Sequence, residues 1–219
     1  MPTRKSKLPE ISGDDRKPIK VTAIVLAGGK YLRLGKNKAL EVIGGTSLIE
    51  RVIERLQPFA SQILIVTSPE LVTFPVSEKA KALIDLYPDK GPLAGIYTGL
   101  QAARTSYSLV VACDMPFLNQ RLLGYMIGLA PGFDAVVPRL GERMMEPLHA
   151  VYARSCRDKM KARLENDQLS LNSFLGTVKV RYVERDECQR FDPQLLSFFN
   201  INYPADLDKA ITLAVQEKK

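Results

Sequence analysis

The chain has 219 residues, 46% of them apolar, which excludes disorder throughout and suffices for one α/β domain burying roughly 70% of its unfolded surface. No apolar run approaches the roughly 20 residues of a membrane span, and the first twenty residues lack the apolar core of a secretory signal. The formal charge is +7, of which the first twenty residues supply six cations against three carboxylates; the modest remainder, with no Trp and no aromatic-basic interleaving, suits an enzyme of anionic substrates and argues against nucleic acid.

Residues 1–20, with Pro2, Pro9 and Pro18 among their charges, read as a disordered basic tail, and residues 21–219 as a single domain. Val21–Leu26 and Gln62–Thr67 are apolar runs with the length and β-branching of buried parallel strands. Between them, Ser47 and Glu50 stand at capping-box spacing, and Leu48, Ile49, Val52, Ile53 and Leu56 form one helical face that ends at Pro58. Ala82–Leu86 is a weaker strand, and Leu93, Ile96 and Leu100 predict a helix to about Arg104. A strand over Ser108–Cys113, a helix over Asn119–Leu129 and a strand over Ala135–Pro138 continue the alternation. Leu148–Tyr152 and Lys179–Val183 read as strands with a helix over Arg154–Glu165 between them, and Pro204 fits the first turn of a last helix. The pattern predicts a three-layer α/β/α fold, Rossmann-like, with a mostly parallel sheet. Ligands in such folds sit beyond the carboxyl ends of the strands.

Three segments fall at that edge. After Val21–Leu26 come Gly28-Gly29 and then the cations Arg33 and Lys38, so backbone N–H groups and positive charge follow a buried strand, an arrangement suited to polyphosphate. The spacing is neither a P-loop nor a dinucleotide fingerprint, and a plain turn with surface lysines is the alternative. In Asp89-Lys90-Gly91-Pro92-Leu93-Ala94-Gly95, two glycines flank a helix start with Pro92 in its first turn; small residues there let a flat base or ribose approach, or simply cap the helix. Asp114, after the apolar strand, can hold Mg²⁺ completed by substrate phosphates, or cap the next turn.

His149, the only histidine, lies on an apolar strand and reads as structural, whereas Glu146 gains interest if it lies near the cleft. Asn200 and Asn202 alternate with apolar residues, which predicts that both project to one side of a strand, facing a polar ligand or capping the last helix. Cys113, Cys156 and Cys188 are odd in number and widely spaced, with no CxxC pair, and read as reduced thiols of a cytoplasmic protein.

Leu26-Ala27-Gly28-Gly29 with Arg33, Gly35 and Lys38 resembles the signature of the molybdenum cofactor guanylyltransferases. Gly91-Pro92-Leu93-Ala94-Gly95, Cys113-Asp114-Met115-Pro116, Glu146-Pro147-Leu148 and Phe199-Asn200-Ile201-Asn202-Tyr203-Pro204 are similar to its later motifs, in the same order, over about residues 21–214. Tyr31, Leu32, Leu34 and Tyr203 depart from the usual pattern. The resemblance implies transfer of GMP from GTP to the terminal phosphate of molybdopterin, with release of pyrophosphate. It implies Mg²⁺ as cofactor, with Asp114 as its ligand, and Arg33 and Lys38 on the triphosphate. Leu26, Ala27, Gly28, Gly29, Lys38, Asp85 and Asp114 become nucleotide contacts. Gly91, Pro92, Leu93 and Gly95 complete the guanine pocket, Thr67 stands where relatives carry a ribose-facing Asn, and Asn200 and Asn202 face the pterin. Relatives that use CTP tend to show LAAG and lack GPLAG, so the motifs side with GTP. GTP and molybdopterin, or the molybdenum cofactor, are the implied small-molecule partners, with cofactor-insertion enzymes or chaperones as protein partners of a monomer. The alternatives are a related nucleotidyltransferase acting on a sugar phosphate or small phospho-acid, and a nucleotide-binding adaptor that kept the fold.

Overall fold

Val21–Leu26 forms β1, and its side chains alternate between two apolar layers, which is why all six residues are buried. The computed structural model describes residues 19–28, 38–69 and 79–216, so the tail residues 1–18 lie outside the described residues, as do Gly29 and Arg33. After a 3-10 turn at Lys38–Leu40, a two-stranded ribbon, β2 (Val42–Ile43) with β3 (Thr46–Ser47), leads into α1 (Leu48–Leu56). The predicted capping box is present: Ser47 Oγ accepts the Glu50 N–H while Glu50 Oε2 accepts the Ser47 N–H.

The main chain then forms β4 (Ala60–Thr67), β5 (Lys81–Ile84), α2 (Pro92–Ala102), β6 (Tyr107–Ala112), α3 (Gln120–Leu129) and β7 (Ala135–Gly141). The short β8 (Met144–Met145), β9 (His149–Ala153), α4 (Cys156–Glu165), α5 (Leu171–Leu175), β10 (Val180–Glu184), α6 (Arg185–Gln189) and α7 (Pro204–Gln216) complete it. Strand order is β10-β7-β9-β6-β1-β4-β5, with β8 paired to β7. The pairs β1–β4, β1–β6, β4–β5 and β10–β7 are parallel, whereas β9 runs antiparallel to both β6 and β7. The carboxyl ends of β1, β4, β5, β6, β7 and β10 therefore share one edge.

One apolar layer joins β1 to α1 and α3 through Val52, Ile53, Leu122 and Met126. The other joins it to α2 and α4 through Leu93, Ile96, Leu100 and Met160. Helices thus cover both faces, giving the expected three layers. Helix α2 presses closely on the sheet at Gly99, where an added Cβ would lie 2.5 Å from Ile24 Cγ2. A third, smaller cluster seats α7 against Ile43, Leu48, Phe117 and Ile201.

Two sequence expectations are corrected. The strand predicted over Ala82–Leu86 ends at Ile84: the Asp85 N–H makes the last bond to β4, to the Thr67 carbonyl, and beyond it the Asp85 side chain holds the chain in a local network with Thr98 and the Tyr87 N–H. Asn200 and Asn202 do not lie on a strand: a 3-10 turn at Leu196–Phe198 precedes them and no ladder pairs them. Instead, the Asn202 and Tyr203 N–H groups both donate to Asp206 Oδ2, capping α7 from within.

His149 is completely buried on β9, its ring 4.7 Å from that of Phe198, and among the described residues neither ring nitrogen has a hydrogen-bond partner. Burial lowers its pKa from 6.5 to about 4, a shift that Asp192 offsets in part. The folded chain therefore disfavours the imidazolium. The neutral ring costs nothing by titration above pH 6.5, and stability is lost as the pH falls from 6.5 towards 4. His149→Leu is expected to flatten this acid limb, gaining on the order of 2–3 kcal/mol over the wild type at pH 4.5 relative to pH 7.5. Urea unfolding at the two pH values checks it; equal acid losses in both proteins would show that His149 does not titrate on unfolding.

Candidate active site

The loop after β1 starts from a fixed platform. The Ala27 N–H donates to the Val66 carbonyl at 2.8 Å, and the Leu26 carbonyl accepts the Cys113 N–H at 3.1 Å, so Leu26–Gly28 is tied to both neighbouring strand ends. Leu26 and Ala27 are buried, and Lys38 opens the 3-10 turn Lys38–Leu40 on the far side of the loop. Thr67 is also buried, its hydroxyl donating to the Ala27 carbonyl at 3.3 Å. That bond directs Thr67 towards the loop backbone.

Asp85 follows β5. Its Oδ1 accepts from the Thr98 hydroxyl at 2.8 Å and from the Tyr87 N–H at 3.2 Å. The carboxyl is half-buried, and burial raises its pKa above the ordinary aspartate value, with the hydrogen bonds from Thr98, Tyr87 and Leu86 opposing the rise. Thr98, buried on α2, was not singled out by the sequence reading, since a Thr inside an apolar helix carries no signal until its neighbour across the loop is known.

Gly91 caps α2 at φ 72° and ψ −165°, a conformation open to glycine and strained for other residues, and Pro92 occupies the first helical turn. Gly95 faces Leu26 and Asp85: an added Cβ would lie 3.0 Å from Leu26 Cδ2 and 3.9 Å from Asp85 Oδ2. A side chain at Gly95 would press against Leu26 beside the Asp85 carboxylate. Leu93 points the other way and is fully buried in the core.

Asp114 stands just past β6, 4% exposed, and its carbonyl accepts the Ile201 N–H at 3.1 Å. That bond docks the Asn200–Asn202 segment beside Asp114. The Asn200 amide donates to the Phe198 carbonyl at 3.2 Å. Among the described residues no three His, Cys, Asp or Glu side chains form a metal-binding group. A single hard carboxylate at a strand end fits a Mg²⁺-type cation, which takes few protein ligands and completes its shell with water and phosphate oxygens. It does not fit a thiolate- or imidazole-rich transition-metal centre. Cys156 and Cys188 are buried with their thiols pushed up to about 12, mainly by that burial, so both are poor nucleophiles.

The structure thus brings Leu26, Ala27, Gly28, Asp85, Gly91, Gly95, Asp114 and the Asn200–Asn202 segment to one sheet edge. Asp85 follows β5 and Asp114 follows β6, three strand spacings apart, which is about 14 Å. The site spans the middle of the sheet. Among the described residues no helix is long and apolar enough to cross a membrane.

The family described as the MobA-like NTP transferase domain matches residues 23–181. A molybdenum cofactor guanylyltransferase of Desulfosudis oleivorans is 35% identical over 192 residues, covering 87% of this chain and 94% of that protein. The crystal structure of molybdopterin-guanine dinucleotide biosynthesis protein A from Archaeoglobus fulgidus superposes with a TM-score of 0.76 at 32% identity, covering 89% of this chain and 99% of that one. A 2-C-methyl-D-erythritol 4-phosphate cytidylyltransferase from Thermus thermophilus shares the fold, with a TM-score of 0.68 at 19% identity over 90% of this chain and 100% of its own.

Proposed function

Because this chain belongs to the MobA-like NTP transferase family and is a nucleotidyltransferase, we propose that it transfers GMP from GTP to the terminal phosphate of molybdopterin, releasing pyrophosphate. The observation that carries the reading is the convergence of Leu26–Gly28, Asp85 with Gly95, and Asp114 on one edge of the sheet. They combine backbone tied to two strand ends, a carboxylate beside a glycine-bearing helix start, and a strand-end carboxylate. The curated relative and the Archaeoglobus protein carry names for this chemistry.

In this reading guanine lies at the start of α2, where Gly95 lets the helix approach Leu26 and Asp85 closely. The N1–H and 2-amino groups of guanine present two adjacent donors to the Asp85 carboxylate, whose Oδ1 is held by Thr98. The backbone after Leu26, with Arg33 and Lys38, holds the triphosphate. An oxygen of the molybdopterin phosphate attacks the α-phosphorus in line; the bond to the bridging oxygen breaks and pyrophosphate departs. The attacking monoester is already anionic near neutral pH, so the protein's part is alignment and charge neutralisation. Asp114 would hold Mg²⁺, which when bound would supply Lewis-acid stabilisation of the phosphate charge. In this reading Asn200 and Asn202 face the acceptor, which is supported by the Ile201 N–H bond to the Asp114 carbonyl that docks their segment beside Asp114.

The test is a matrix of Mg²⁺, each of the four labelled NTPs and molybdopterin, read as pyrophosphate release. GTP-specific release that requires molybdopterin is expected. Release that requires a sugar phosphate or small phospho-acid instead would overturn the assigned acceptor.

A further inference from the structure

Glu146 is a polar group of this edge without a task in the reaction described above. It follows β8 and opens the turn that enters β9. The turn is held at three points. The Glu146 N–H donates to the Pro138 carbonyl at 3.0 Å, the His149 N–H to the Glu146 carbonyl at 3.1 Å, and the buried Tyr152 hydroxyl to the Pro147 carbonyl at 2.8 Å. The Leu148 carbonyl accepts the Ala112 N–H at 3.1 Å, one step beyond the last ladder pair, Val111 with His149. This register carries the turn alongside Cys113 and Asp114.

The Glu146 carboxylate is half-buried, and among the described residues no hydrogen bond or ion pair reaches it. Burial alone raises its pKa. The neighbouring recess of about 340 Å³ at the β7–β8 turn differs in this respect. There Arg139 is bound by Glu184 through two hydrogen bonds and lies over the Tyr182 ring, so its charge is matched internally. A half-buried carboxylate on a turn fixed by its main chain, with open acceptor positions, can receive paired donors.

We infer that Glu146 reads the 2-amino-4-oxopyrimidine edge of the acceptor's pterin ring, making it a specificity-determining residue on the acceptor side of Asp114. The assignment rests on molybdopterin being the acceptor. In a pterin, N3–H and the 2-amino group lie side by side and match the two oxygens of one carboxylate. Guanine presents the same pair. The enzyme's two substrates therefore share one recognition edge, and the sheet offers two half-buried carboxylates in order, Asp85 after β5 and Glu146 before β9, with Asp114 between them. Asp85 is on the nucleotide side, and Glu146 supplies the equivalent contact for the other ring.

The discriminating variant is Glu146→Gln, whose amide keeps one acceptor and gains a donor. It is tested by steady-state transfer to molybdopterin and by direct binding of two free rings to the full chain. These are pterin and lumazine, the latter carrying a 2-oxo group in place of the 2-amino group. The expected KM for molybdopterin rises by about 10- to 100-fold, the loss typical of hydrogen bonds to a charged group, while the KM for GTP is unchanged. Pterin binding weakens in parallel and lumazine binding tightens, because the glutamine N–H can donate to the 2-oxo group. An unchanged molybdopterin KM, or equal weakening of both rings, would overturn the assignment of Glu146 alone. A wild type that fails to transfer to molybdopterin overturns the acceptor, and this role with it; that result is read before any variant is compared.

Discussion

Asp114→Asn is expected to lower guanylyl transfer by on the order of 10³-fold or more at saturating GTP and Mg²⁺, with the melting temperature nearly unchanged. The physical reason is that asparagine keeps the size of the side chain and removes its negative charge. Asp114 is 4% exposed at the end of β6, so its surroundings are set by backbone packing, including the bond from Ile201 N–H to its carbonyl. A same-shaped amide preserves that packing. A neutral amide oxygen binds a hard divalent cation much more weakly than a carboxylate does. Pyrophosphate release at increasing Mg²⁺ provides the measurement. Activity within tenfold of the wild type at ordinary Mg²⁺ would place the cation on another group.

Lys38→Ala is expected to slow turnover by on the order of 10²–10³, the loss associated with one pre-organised donor to developing charge. Lys38 stands where the loop after β1 re-enters regular structure, at the start of the 3-10 turn Lys38–Leu40. In the proposed reaction its charge would offset the triphosphate and the departing pyrophosphate, both of which are multiply anionic at neutral pH. Lys38→Arg should restore part of the rate, because the charge returns with a different geometry. Single-turnover rates with GTP in excess separate this effect from weaker nucleotide binding. A near-normal rate in Lys38→Ala would remove the lysine from the transfer step.

Asp85 and Glu146 share one arrangement, a partly desolvated carboxylate on a hydrogen-bonded backbone. Thr98 and the Tyr87 N–H hold Asp85, whereas Glu146 is held only through its main chain. The first has one oxygen committed within the protein and the second has neither.

By itself, the amino-acid sequence determined the alternation of strands and helices, because each layer's burial is written as local periodicity: the continuous run Val21–Leu26 for a strand covered on both faces, and the Leu48–Leu56 stripe for a helix covered on one. It also determined the α1 capping box and the α2 start at Gly91-Pro92, which depend only on residues within one turn. The tertiary structure decided what depends on contacts distant in sequence. The antiparallel run of β9 between β6 and β7 follows from ladder register, which no single segment encodes. The partnership of Asp85 with Thr98 joins a strand end to a helix interior, and the Ile201–Asp114 bond replaces the expected Asn200–Asn202 strand with a docked loop. Glu146 is the sharpest case: the sequence marks it within Glu146-Pro147-Leu148 without fixing its place, and the Val111–His149 pair with the Ala112–Leu148 bond brings its turn to the carboxyl end of β6.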